Sequence, residues 1–298
     1  MPTITGGLSM ISQMLPNLPP SERKIAEYII KNPKEAITCT ANELGKRSST
    51  SGAAVIRLCK SLGLKGFQEL KLKIAGDLQK PFEEGYRDIT PFETQESIIQ
   101  KMTNNNIQTL RDTVEVLHPD ELRKAVDALI QANTIHFFGI GASSIIAKDA
   151  QQKFLRINKN ATAFTDTHLL ATLIGNAKKD DVVFGISFSG ETIEVANLLE
   201  LAKQKGVKTI SLTRYGISPV TEQADIRLYT SYSKEAVFRS GATSSRIAQL
   251  HVIDILFMCV ATQAYEETIK SIDRTRDAIE FFKEKQYRKR VKTIQEES

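Results

Sequence analysis

The chain has 298 residues, 41% hydrophobic and 25% charged, which is ordinary for a folded globular protein and allows one large or two modest domains. Its three cysteines, Cys39, Cys59 and Cys259, are far apart and form no C-x-x-C pair, which argues against a disulfide framework or a zinc site and fits a reducing cytoplasm. The net charge of +5 is uneven: residues 1–80 hold 12 Lys and Arg against 6 Asp and Glu, whereas residues 81–298 hold 28 against 29, so a polyanion partner is expected for the N-terminal part.

In chain order, Pro19-Pro20-Ser21-Glu22 opens a helix that Ser21 is placed to cap, with Ile25, Ala26, Ile29 and Ile30 apolar at helical spacing. Asn32-Pro33 ends it. A short second helix runs from Thr40 through Ala41, Leu44 and Gly45. The polar run Ser48-Ser49-Thr50-Ser51 predicts a turn. A third helix follows, with Ala53, Ala54, Ile56, Leu58 and Leu62 apolar and Gly63 as its stop. Leu64-Lys65-Gly66-Phe67 leads into a fourth, carrying Leu70, Leu72 and Ile74. Short helices with a tight polar turn before the third make a helix-turn-helix unit over residues 1–80.

Residues 81–105, with Pro81, Gly85 and Pro91, read as a linker passing into a helix from about Glu96 to Leu117. Asp120 to Gln131 is another amphipathic helix. From Thr134 the period changes. Strands are predicted at Ile135–Phe138, Ala161–Phe164, Val182–Ile186, Lys208–Leu212 and Ile226–Tyr229. Helical patterns at 145–157, 167–176 and 191–205 separate the first four. This alternation implies a five-stranded parallel sheet covered by helices. A long helix at 244–265 closes the unit. The fold class is therefore multi-domain: an all-α unit, then an α/β domain over 106–285, then a charged tail at 286–298 expected to fray. The start lacks a basic segment leading into an apolar run, so no secretory signal is expected. Val252 to Ala264 is too short to span a bilayer and contains Asp254, so no membrane association is expected.

The most informative run is Val182 to Thr192. A buried strand stops in Ser187-Phe188-Ser189-Gly190-Glu191-Thr192, and an apolar helical pattern follows. In a parallel sheet this turn lies at the carboxyl edge, where ligands bind. Hydroxyls of Ser187, Ser189 and Thr192, amides at a helix start, and Gly190 for close approach suit a phosphate. No Lys stands in the loop, so it is not a nucleotide P-loop. A small phosphorylated metabolite is expected; Glu191 is open to binding a sugar hydroxyl or capping the helix.

Gly139-Ile140-Gly141-Ala142-Ser143-Ser144 starts like a dinucleotide fingerprint, but Ser144 stands where the third glycine belongs. It reads as a second wall of the same anion site, with Ser143 and Ser144 as ligands. Asp166 could imitate a ribose-binding acid. In Glu235 to Arg246 only Ser244 is singled out as a ligand. The histidines His118, His136, His168 and His251 lack metal-ligand spacing, and His136 reads as structural. Neither metal nor cofactor is expected. In the N-terminal unit Ser51 caps the third helix, Ser49, Thr50, Ser51 and Gly52 are placed to meet base edges, and Arg57, Lys60, Lys65 and Lys73 to meet phosphates.

On these residues, 134–265 resembles a SIS domain, the sugar isomerase fold that binds phosphosugars. The matched Ser143 or Ser144, Ser187, Ser189 and Thr192 are, by that resemblance, the phosphate ligands. Residues 1–80 resemble the helix-turn-helix of RpiR-family bacterial transcriptional regulators in Val55-Ile56-Arg57-Leu58-Cys59-Lys60-Ser61-Leu62-Gly63 and Lys65-Gly66-Phe67-Gln68-Glu69-Leu70. Ser245-Arg246-Ile247-Ala248-Gln249-Leu250-His251 matches in the sensor. Among subgroups the chain is similar to MurR-type regulators of N-acetylmuramic acid use. Gly52 departs from the usual polar or helix-favouring residue and is expected to loosen the start of the recognition helix. The resemblance implies a cytoplasmic DNA-binding repressor, dimeric or tetrameric, of sugar or amino-sugar catabolism. Its operator affinity would respond to a phosphosugar such as N-acetylmuramic acid 6-phosphate. The other class is a phosphosugar isomerase or lyase with a helical appendage. It needs a positioned base, for which Glu191, Glu235, His168 and His251 are candidates, and it gives the basic unit no task.

Overall fold

The computed structural model describes residues 6–78, 92–231 and 243–296. Its N-terminal part is helical: α1 (Gly7–Met14), α2 (Pro20–Lys31), α3 (Pro33–Ala36), α4 (Ala41–Arg47), α5 (Gly52–Ser61) and α6 (Phe67–Leu78), with a 3₁₀ turn at Leu15–Asn17. Ser21 does not cap α2. Pro19 holds the cap position and Pro20 begins the helix, its missing N–H costing nothing there. Pro33 ends α2 and also starts α3. Thr40 and Glu43 form a reciprocal capping box on α4, and Ser51 accepts the Ala54 amide at 3.3 Å to cap α5, as its position predicts. Ile25, Ile29, Leu44, Leu58, Leu62, Leu70 and Ile74 fill the helical core together with Met10 and Ile11 of α1.

The second part opens with α7 (Gln95–Val116) and α8 (Pro119–Gln131). Then follow β1 (Thr134–Gly139), α9 (Ala142–Arg156), β2 (Asn160–Ala163), α10 (Thr167–Gly175), β3 (Val182–Ile186), α11 (Ile193–Gln204), β4 (Lys208–Arg214), α12 (Pro219–Glu222) and β5 (Ile226–Thr230). The sheet is wholly parallel in the order β2-β1-β3-β4-β5. Alternate strand residues feed two cores, as a doubly covered sheet requires. Phe137, Phe184 and Ile186 join α8, α9 and the penultimate helix of the chain on one face; Phe138 and Val183 join α10 and α11 on the other. At Gly185 a Cβ would lie 3.0 Å from Leu199, so the glycine permits close helix–strand packing.

The chain ends in α13 (Ser244–Gln263) and α14 (Tyr265–Glu296). Among the described residues α13 is the one helix long and apolar enough to cross a bilayer. Here Val252, Ile253, Leu256 and Val260 of α13 are buried in the sheet core. Residues 286–296 of the charged tail continue as the end of α14. The two parts also touch. Val116 and Tyr215 belong to the apolar cluster of the helical part, and the Tyr215 hydroxyl donates to the Leu62 carbonyl at 2.5 Å.

Candidate functional site

The order 2-1-3-4-5 reverses direction between β1 and β3, and an open sheet binds ligands at the carboxyl edge of that point. The structure sets both predicted loops there. Gly139 ends β1 directly beside Ile186, which ends β3. In the first loop a Cβ on Gly139 would fall 2.8 Å from Ser143 backbone and side-chain atoms, so only glycine allows this turn. Ser143 is buried, and the Ser144 hydroxyl donates to the Gly141 carbonyl at 2.7 Å. Gly141 itself has φ +60°.

In the second loop Ser187 is buried and its Oγ lies 2.8 Å from Thr192 Oγ1. Ser187 Oγ also accepts the Gly190 amide at 3.2 Å, and Ser189 Oγ accepts the Glu191 amide at 3.1 Å. Thr192 occupies the cap position of α11 without making a side-chain cap bond. The three hydroxyls and the Gly190 and Glu191 amides thus form one hydrogen-bonded cluster just ahead of α11. Gly190 has φ +75°, and a Cβ there would lie 2.3 Å from Ser218 Oγ. Glu191 is exposed and is not the cap.

Asp166 caps α10 by accepting the Leu169 amide at 2.9 Å, which accounts for an acid after β2. Ser244 is buried at the start of α13, and its hydroxyl donates to Asn106 Oδ1 of α7 at 2.9 Å. That bond ties it to α7 rather than to the two loops, and Glu235, Arg239 and Gly241 lie outside the described residues. Asn106 carried no sequence signal; it sits in a polar helix where many residues look alike. His136 is buried in β1, with Nδ1 3.0 Å from Thr162 Oγ1 and Nε2 3.9 Å from Asp181. Burial holds its pKa below the usual value, against the pull of Asp181. Among the described residues no group of three or more His, Cys, Asp or Glu is arranged to hold a metal.

In the helical part α4, the Ser48–Ser51 turn and α5 form the predicted helix-turn-helix. Ser49 adopts φ +54° and is exposed. Thr50 is partly committed to the turn: its amide donates to the Gly45 carbonyl at 2.7 Å and its hydroxyl lies 3.0 Å from Ser48 Oγ. Ser49, Thr50, Ser51 and Arg57 line one open cleft of about 380 Å³, together with Ser21 and Lys24 of α2. Lys60 and Lys65 are exposed but outside that cleft. Lys73 is half-buried and near His118, whose pKa burial lowers first and Lys73 second.

This face also holds contacts that the sequence does not record. Glu22 is buried although charged; it accepts the Ser61 hydroxyl at 2.7 Å and lies 4.0 Å from Arg57 Nε. Gly52 does not simply loosen α5. A Cβ there would lie 2.1 Å from Asn42 Oδ1, so the glycine makes room for the Asn42 side chain of α4. Gly45 has a parallel reason, since its Cβ would meet Ser51 backbone at 2.5 Å.

A helix-turn-helix joined to a parallel-sheet domain with a hydroxyl-lined loop at its switch point defines a class of two-part regulator. The rpiR-family helix-turn-helix domain matches residues 5–81 and the SIS domain matches residues 128–259. The HTH-type transcriptional regulator YbbH of Bacillus subtilis is 57% identical over 276 residues, covering 93% of this chain and 98% of YbbH. HexR of Pseudomonas aeruginosa, also an HTH-type transcriptional regulator, is 33% identical over 84% of this chain and 87% of its own. The solved structure of Vibrio vulnificus NanR complexed with ManNAc-6P is 27% identical, covers 92% of this chain and 98% of NanR, and superposes with a TM-score of 0.58. The chain belongs to the RpiR family of HTH-type transcriptional regulators, with a C-terminal SIS domain.

Proposed function

We propose that this regulator is a repressor of sugar or amino-sugar catabolism whose operator affinity is set by a phosphosugar bound at the switch point. The observation that carries the reading is the cluster of Ser187, Ser189, Gly190 and Thr192 at the start of α11, beside Ser143 and Ser144. Donors there meet the partial positive charge of the helix end, so a phosphate is the group they suit. Ser244 is assigned to the sugar end. An N-acetylated amino-sugar 6-phosphate is the favoured effector: the NanR complex holds ManNAc-6P, and the MurR-like wording of this chain suggests N-acetylmuramic acid 6-phosphate. Ser49, Thr50 and Ser51 face bases, Arg57, Lys60 and Lys65 face phosphates, and the working unit is a cytoplasmic homodimer or homotetramer.

A thermal-shift screen tests the effector. N-acetylmuramic acid 6-phosphate and N-acetylmannosamine 6-phosphate should raise Tm, because a ligand that binds only the folded state stabilises it. Glucose 6-phosphate and the unphosphorylated sugars should do less. A gel shift with DNA selected by the protein from a random library should then weaken on adding the effector. Conversion of any of these sugars at enzymatic rates would replace this reading with an isomerase or lyase.

A further inference from the structure

We propose that Tyr215 couples the loop after β3 to the recognition helix α5, so that occupancy of the one changes the end of the other. The proposal rests on the reading of residues 187–192 as the effector loop, and four observations carry it.

The first is the end of α5. Leu64 donates its amide to the Cys59 carbonyl at 2.8 Å and Gly63 donates to Lys60 at 2.9 Å, with Gly63 at φ +68°. This closure uses the last turn's carbonyls and leaves that of Leu62 facing outward. The Tyr215 hydroxyl reaches it from the other domain.

The second is that Tyr215 is fixed at both ends. It is buried, its amide donates to the Thr230 carbonyl at 2.9 Å, and its ring packs edge-on against Tyr229 at 5.1 Å. It cannot follow α5 or β4 alone without breaking one of these.

The third is that the segment holding Tyr215 is stitched to the loop. Arg214 donates its amide to the Phe188 carbonyl at 2.8 Å, and Val220 donates to the Gly190 carbonyl at 3.2 Å. Gly190 meets Ser218 so closely that a Cβ would sit 2.3 Å from its Oγ. Tyr215 therefore lies one peptide from an anchor on the loop.

The fourth is that the loop has reason to change. Ser187 and Thr192 bond each other, and the Gly190 and Glu191 amides are taken up by Ser187 and Ser189. An incoming phosphate must re-aim these donors. A shift at Phe188 or Gly190 pulls on Arg214 and Val220, and Tyr215 delivers the shift to the Leu62 carbonyl.

Hydrogen exchange by mass spectrometry on the full chain tests this in a cycle of wild type, Tyr215→Phe, Gly190→Ala and the double variant, with circular dichroism as the check on folding. Ser218→Ala perturbs the same contact more gently and replaces Gly190→Ala if that variant does not fold. Gly190→Ala should change amide exchange over residues 62–67 by about three- to tenfold, the range one hydrogen bond supplies. In the Tyr215→Phe background the same change should have no effect there, because coupled residues do not act additively. Equal effects in both backgrounds, or none in either, overturn the proposal. Inorganic phosphate is then added as the probe. It should protect residues 189–195 in both backgrounds and alter 62–67 only when Tyr215 is present. Failure to protect 189–195 while the ligand-free cycle holds rejects the effector reading and leaves the coupling standing.

Discussion

Ser187 and Ser189 have different tasks in the loop after β3. Ser187 is buried, bonds Thr192 and accepts an amide, so it shapes the loop as well as offering a donor. Ser189 is only half-buried and holds the Glu191 amide. On the proposed function, the double variant Ser187→Ala with Ser189→Ala should lose effector affinity by roughly two to four orders of magnitude, at about 1.5–3 kcal/mol per hydrogen bond to a charged group. Affinity for DNA without effector should change far less, because the backbone bonds Arg214–Phe188 and Val220–Gly190 that link the loop to Tyr215 do not use the two hydroxyls. Calorimetry with the sugar phosphate that scores in the thermal-shift screen checks the first part and a gel shift the second. Wild-type effector affinity in the double variant would reject the phosphate assignment. Arg57 belongs to the same scale. Its exposed guanidinium sits above the buried Glu22 carboxylate, so Arg57→Ala should weaken DNA binding for all sequences and lower the salt slope by about one. An unchanged slope would remove Arg57 from the phosphate contacts.

At the scale of elements, β1 and α9 carry the sensor's most consequential packing. Phe137 stacks 5.3 Å from both Phe154 and Phe184, and all three rings are fully buried. Phe154→Ala should cost about 3–5 kcal/mol of unfolding free energy in urea titration, because a large buried side chain leaves a cavity. The strand β1 also sets a pH dependence. Burial lowers the His136 pKa in the folded state, so between the folded value and the ordinary 6.5 the unfolded chain binds the extra proton. The contribution is intact above about pH 6.5 and is lost as pH falls through that window. Urea titrations at stepped pH values should show stability falling with acidity, and His136→Asn should flatten that slope. A slope of the opposite sign would mean that Asp181, not burial, governs the imidazole.

For the whole molecule the sensor is tied to the helical part by Val116, His118, Tyr215 and Tyr229. Removing residues 1–80 should therefore do two things. DNA binding, steep in salt for the full chain, should vanish from the gel shift. The remaining fragment should also melt lower, because Tyr215 and Val116 become exposed. Full DNA affinity in the fragment would move the interface elsewhere. Assembly is the other property at this scale. A helix-turn-helix dimer reads two half-sites about one DNA turn apart, so light scattering should give a dimer or tetramer. The apolar residues Val252, Ile253, Leu256 and Val260 of α13 are spent on the sensor's own core. Exposed Tyr265, Ile269, Phe281 and Phe282 make α14 the better candidate for the contact surface.

Local chemistry determined much of this by itself. Strand and helix periods place all five strands and α9, α10, α11 and α13 to within a few residues, since each buries one side of its own pattern. The hydroxyl loop after β3, the Ser51 cap and the Gly63 stop are short-range features that need no partner. Tertiary structure decided what depends on distant atoms. The helix α1 forms because it covers the core of α2 and α6. Glu22 under Arg57, Asn42 against Gly52 and Tyr215 on Leu62 join residues far apart in the chain. No periodicity records such pairs, because a residue's own neighbours do not say which surface will close over it.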